Sequence, residues 1–463
     1  MVTTQPTAEL GLAALDDEIT VDALPVEGEI PSWLSGNLLR TGPTTWHAGS
    51  TALRHWFDGL AMLHSFTVHD GTVSYANKHL ETRTHRSAEK AGKLTYGQFA
   101  TDPCRSIFQR IQSAFSGAVT DNANVNVAKL GERFVALTES SIPVEFDQHT
   151  LETAGVPYRA PGQLTTAHPH YESGAMLNYA AKLGPRSSYR FYRVDDRGTE
   201  VLASVPVRNP SYMHSFGMTE RWFVLVEFPL VVEPAAMVFS GKPFIENYRW
   251  EPERGTRVTL VDRRSGEVGA RRTLEPFFAF HHVNAYDDGG DVVVDLCAYP
   301  DAQIIQDLYI DRMHEIMRDD AQRISRSHLT RLRLSGNGVS SEQIGDATIE
   351  LPRINGHRAR QPHRYVWGTG TRLGWIDEIV KIDTSDGSSL TWHEPDQYPS
   401  EPVFVGRPGA AEEDDGVLLS VVLDAQRGHS TMLVLDAGSL HPLARATVPH
   451  HIPYHFHGQF SRA

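Results

Sequence analysis

The chain has 463 residues, with 43 Lys and Arg against 57 Asp and Glu, a net charge of −14, and 40% hydrophobic residues. That balance excludes a basic nucleic-acid-binding surface as the organising feature, because phosphate recognition draws on clustered positive charge. Two cysteines, Cys104 and Cys297, are too few for a disulfide framework and read as reduced thiols.

The first twenty residues, MVTTQPTAELGLAALDDEIT, have no basic n-region, so no signal peptide is expected. No run of 18 apolar residues occurs, so no transmembrane helix is expected either, and a soluble cytoplasmic protein is the reading. Short apolar runs rich in Val, Leu, Phe and Tyr then follow one another as predicted strands: Arg133–Thr138, Tyr189–Val194, Trp222–Phe228, Arg257–Asp262, Asp291–Leu296, Leu329–Leu334, Val417–Leu423 and Thr431–Leu435. Turn chemistry punctuates them, as at Asp262–Gly266 and Asp287–Asp291. So many short strands in one chain point to a sandwich set, a barrel or a propeller. No signature recurs at blade-like spacing, so periodicity alone does not select a propeller.

Two segments depart from the strand pattern. Ile107, Phe108, Ile111 and Phe115 fall at helical spacing, as do Ile304, Ile305, Leu308, Tyr309, Ile316 and Met317. Both read as amphipathic helices packed on a sheet. No Pro- or Ser-rich linker divides the chain, which makes residues 1–463 a single expected domain.

Histidine is the unusual residue, at 23 copies. Four contexts place it among aromatic or small residues: TAHPHY (166–171), YMHSFG (212–217), FHHVNAY (280–286) and YHFHGQF (454–460). Any one such histidine is most simply a hydrogen-bonded core residue. Together they raise a metal site, although the HExxH and CxxC spacings of zinc proteins are absent and only the fold can converge ligands so far apart. Imidazole suits iron, copper, nickel and zinc. Ligating histidines usually donate their second ring N–H to a carboxylate or carbonyl. Glu139, Glu350 and Glu401, in strand-like surroundings, are candidates for that role.

From GNLLRTGP (36–43) through HWFDGLAMLHSF, TAHPHYESGAMLN, MHSFGMTERWFVLVE, FFAFHHVNAYDDGGDVVVDLC and YPSEPVFVGRPGAAEEDDGVLLSVV to FHGQF, the sequence resembles the carotenoid cleavage oxygenases. The likeness is closest to the animal β-carotene oxygenases and the related retinoid isomerase of the retinal pigment epithelium. It implies an all-β, seven-bladed propeller with a helical and loop cap over an axial metal. It implies Fe(II) on His168, His214, His281 and His457, with Glu139, Glu350 and Glu401 orienting ligands. In each crowded motif it selects His168 over His170, His281 over His282, and His457 over His455.

The resemblance further implies an apolar tunnel with Thr138, Phe280 and Tyr299 on its wall, and O2-dependent cleavage of a polyene. HWFDGLAMLH reads as a structural signature, with a tight turn at Asp58–Gly59 and with His55 and His64 outside the ligand set. Gln109, Arg110 and Gln112 make the first amphipathic segment polar, so peripheral rather than inserted membrane contact is expected. The competing expectations are a stilbene-cleaving oxygenase or retinoid isomerase-like enzyme at the same iron, a zinc protein, and a propeller that binds an apolar ligand or a protein without chemistry.

Overall fold

All eight strands read from the sequence form in the computed structural model, which describes residues 8–103, 120–319, 323–336 and 338–462. They fall in five of the seven antiparallel sheets that form the blades of a β-propeller. Alternation of apolar and polar residues explains the edges; the central strands are apolar on both faces because each lies between neighbouring blades. Gly416–Asp424, for example, is buried at every position.

The ring is closed twice. Gly458–Arg462, near the C-terminus, pairs with Gly36–Thr45 in the first blade. Val26–Gly28 pairs in turn with Pro442–Thr447 in the seventh. Each end of the chain therefore completes a sheet built mainly from the other end, which leaves no open edge between first and last blades.

Between the sixth and seventh blades Trp367 is fully buried, stacks on Phe404 at 4.7 Å, and donates its indole N–H to the Ala437 carbonyl at 3.0 Å. Trp367→Ala is expected to cost about 3–5 kcal/mol by opening a cavity and orphaning that carbonyl. The check is a lowered denaturation midpoint by circular dichroism.

The segment read as one amphipathic helix near residue 310 is two, Gln303–Asp307 and Ile310–Arg318. The break has a cause in backbone pairing. Tyr309 is extended and bridges to His55, Trp56 N–H donates to the Leu308 carbonyl, and Ile310 N–H donates to the Arg54 carbonyl. The earlier amphipathic segment, with Cys104, lies outside the described residues. Cys297 is a free, buried thiol whose pKa burial raises. Among the described residues no helix is long and apolar enough to cross a membrane.

Candidate metal centre

The seven residues singled out as ligands and orienting carboxylates come one from each blade. In chain order of the blades they are His457, Glu139, His168, His214, His281, Glu350 and Glu401. That is why they stand tens of residues apart in sequence and still meet. The four imidazoles converge so that their potential ligand atoms all lie within 4.8 Å of one another. His214, His281 and His457 are buried and His168 is half-buried.

Local hydrogen bonds hold the histidine-bearing loops. The Thr166 hydroxyl donates to the His214 carbonyl and accepts the His168 N–H, so two loops are tied together by one side chain. Ser215 Oγ donates to the Phe280 carbonyl at 2.7 Å and thereby ties the His214 loop to the His281 strand. His457 N–H reaches the Val125 carbonyl at 3.2 Å.

Each of three imidazoles meets one glutamate through Nδ1: His214 with Glu139 at 2.7 Å, His281 with Glu350 at 2.5 Å, and His457 with Glu401 at 2.6 Å. Burial by itself raises the Glu350 and Glu401 carboxyls. Facing His281 for Glu350, and the Arg353 guanidinium followed by His457 for Glu401, outweigh burial and leave both below the usual carboxylate range. An ionised carboxylate only accepts, so both His281 and His457 present an Nδ1–H to it; burial lowers the His457 pKa to about 4, which leaves that ring neutral and its Nε2 bare. The Nε2 atoms of His281 and His457 approach to 3.0 Å, as do those of His168 and His214. Two facing lone pairs repel unless a cation lies between them. Ligands at right angles on metal–nitrogen bonds of about 2.1 Å stand about 3.0 Å apart, whereas tetrahedral ones stand about 3.4 Å apart. Burial, and then the other imidazoles, also lower the pKa of His168 well below its usual value, which keeps it neutral as a ligand must be. The donor set therefore fits a divalent metal with positions left open.

The neighbouring histidines lie outside the cluster. His170 Nε2 meets the Phe216 carbonyl at 2.9 Å, and His282 Nδ1 meets Ser215 Oγ at 2.8 Å. His455 is buried against His64, with ring centroids 4.5 Å apart.

An aromatic cavity opens on the imidazoles, lined by Trp56, Phe57, Phe280, Tyr299 and Phe456, with Ile304 and Leu308 from the short helix and its end. Phe280 and Tyr299, expected on a substrate tunnel, are among the residues that line this cavity. Thr138, half-buried beside Glu139, is outside this lining. Trp56, Phe57 and Phe456 were missed as wall residues, although two of them sit in the HWFDG signature. His55 explains that signature. Its Nδ1 accepts the Phe57 N–H at 3.1 Å and its Nε2 meets the Ile305 carbonyl at 3.0 Å, so it clamps the aromatic pair to the helical segment.

The family model described as retinal pigment epithelial membrane protein matches residues 12–462. The chain is 33% identical to the mitochondrial carotenoid-cleaving dioxygenase of Macaca fascicularis, over 94% of this chain and 91% of that one. It is also 33% identical to the human β,β-carotene 15,15′-dioxygenase, with the same coverage of each. Among solved structures, a mutant apocarotenoid oxygenase of Synechocystis superposes with a TM-score of 0.87 at 25% identity, covering 98% of both chains. The protein is an enzyme of the carotenoid oxygenase family to which retinal pigment epithelial membrane protein belongs.

Proposed function

We propose that this protein is an Fe(II)-dependent dioxygenase that cleaves a conjugated double bond of a carotenoid or apocarotenoid, with β-carotene to retinal as the reference reaction. The observation that carries the reading is the set of four converging imidazoles at the end of an aromatic cavity. In this reading His168, His214, His281 and His457 hold the iron, and Glu139, Glu350 and Glu401 fix the imidazole tautomers without occupying metal positions. Ferrous iron, when bound, supplies the electrons that activate dioxygen. The balance is simple: one carbon–carbon double bond and O2 give two carbonyl products, with no organic cofactor and no proton taken from or left on the protein.

The protein's remaining task is placement. Phe57, Phe280 and Phe456 offer flat apolar faces to a polyene and keep water from the reacting bond. Tyr299 stays a neutral phenol, because burial raises its pKa well above the usual value. Thr138 is assigned to the approach beside Glu139. The cavity wall, rather than the ligand set, selects which double bond lies at the metal. The same reading has a cytoplasmic protein, one domain throughout, that collects its substrate by peripheral contact with a membrane.

The test is aerobic incubation of iron-loaded protein with carotenoid, apocarotenoid and phenolic stilbene substrates. Expected are one O2 consumed per substrate and two carbonyl products from a polyene. Products from stilbenes alone would move the protein to lignostilbene-type chemistry. A double-bond isomer formed without O2 uptake would make it an isomerase.

A further inference from the structure

A short turn near the N-terminus joins two walls of the aromatic cavity. Ala8–Leu12 is a 3-10 turn whose Ala8 and Leu12 are buried in one core cluster with Trp56, Ile304, Leu308 and Tyr454. Those apolar contacts seat it, and two sets of polar contacts fix how it sits.

On one side the turn holds a helix. Glu9 Oε1 meets His314 Nδ1 at 2.5 Å and Arg318 Nη2 at 2.7 Å, groups one helical turn apart on Ile310–Arg318. Burial raises the Glu9 carboxyl, but Arg318 and then His314 outweigh it, so it is ionised and only accepts. Among the described elements, that helix packs chiefly on this turn and on Gln303–Asp307. Gln303–Asp307 and its end supply Ile304 and Leu308 to the cavity wall.

On the other side the turn holds the segment that leads to His457. Tyr454 donates its N–H to the Gly11 carbonyl at 2.9 Å and its hydroxyl to the Ala8 carbonyl at 2.7 Å. No side chain fits between them, because a Cβ on Gly11 would stand 2.2 Å from the Tyr454 ring. The Tyr454 carbonyl in turn accepts the Trp56 indole N–H at 3.1 Å, and Trp56 and Phe456 line the cavity. The turn therefore sets Ile304 and Leu308 against Trp56 and Phe456. The tie to the helix is the weaker of the two. The Arg318 side chain is 66% exposed and that of His314 32%, and ion pairs so open to water break readily.

We propose that Glu9 is a positioning residue for regioselectivity: by fixing Ile310–Arg318 it sets where Ile304 and Leu308 stand against the polyene, and so which double bond lies at the metal. This rests on the polyene-cleaving reading above and assigns a residue that governs its selectivity.

Glu9→Ala and His314→Ala are made in the full-length protein, singly and together, loaded with iron and compared with wild type on β-carotene. Hydrogen exchange of residues 303–318, read by mass spectrometry, is expected to quicken about tenfold in each single variant. Iron content and exchange in the blade strands are expected to stay at wild-type values. Anaerobic β-carotene binding, read by quenching of tryptophan fluorescence, is expected to weaken about threefold. Roughly a tenth of the product formed in air is expected from cleavage at a neighbouring double bond. The double variant is expected to be no worse than either single one, because both remove the same contact. Glu9→Gln keeps an acceptor for His314 and is expected to recover most of the wild-type product ratio. Wild-type exchange at 303–318 in both single variants, an unchanged product ratio, or iron lost in step with selectivity overturns the proposal. Faster exchange and weaker binding with no cleavage by any of the proteins, wild type included, supports the hold of Glu9 on the cavity wall while removing the dioxygenase reading.

Discussion

His281→Ala is expected to strip metal and activity from the protein together, with bound iron well below stoichiometric after purification and turnover reduced by more than about 100-fold. The lower bound comes from the effect of losing only an outer hydrogen-bond partner, about 10–100-fold, which removing a ligand must exceed. The loss has two parts. One of four lone pairs disappears, and the buried Glu350 carboxylate loses the imidazole it meets at 2.5 Å. Glu350 then keeps only the Leu351 N–H, and a buried carboxylate short of its main partner costs more than the lost bond itself. Metal analysis and O2 uptake on the same sample provide the check, with circular dichroism to show that the blades persist. Full iron and full turnover in this variant would remove His281 from the ligand set. His282→Ala is the internal control: its ring meets Ser215 rather than the imidazole cluster.

That control bears on what the sequence could reveal. The strands were legible because alternating or continuous apolar runs bounded by Gly, Asp and Asn have few other solutions. The number of blades was not, since each blade differs in loop length and none repeats a short signature. Residue spacing could not distinguish His281 from His282 or His457 from His455; resemblance to family motifs made those choices. The structure gives the physical difference. His170 and His282 spend ring nitrogens on Phe216 and Ser215, whereas the selected four converge. The wide separation, uninformative as a pattern, becomes regular once each blade is seen to contribute one residue. The cavity wall was least legible. Trp56 and Phe57, Ile304 and Leu308, and Phe456 come from three distant segments, and only the His55 clamp and the converging blades bring them together. The break at Tyr309 was likewise hidden, because helical spacing continues through it while the backbone pairs with the segment around His55, far earlier in the chain.

Glu401→Gln is expected to damage both metal binding and the fold, where Glu350→Gln damages mainly the metal site. Glu350 Oε2 accepts from His281 and from the Leu351 N–H, and Oε1 has no hydrogen-bond partner. A glutamine can therefore keep its oxygen toward His281, losing charge but not the bond. The expected result is an iron affinity or rate about 10–100-fold lower, with a melting temperature close to wild type after chelation. Both oxygens of Glu401 are committed. Oε1 meets His457 at 2.6 Å, while Oε2 pairs with Arg353 at 2.8 Å and accepts the Gly458 N–H at 3.0 Å. Either orientation of a glutamine amide sets an N–H donor against another donor, at His457 or at Arg353 and Gly458. Gly458 opens the strand that closes the ring, so the second clash falls on the closure itself. Removing one partner of a buried ion pair costs about 3–5 kcal/mol, which should appear as a clearly lower melting temperature in the chelated protein. Equal melting temperatures for the two chelated variants would show that Glu401 serves the metal alone and that Arg353 holds the closing strand without it.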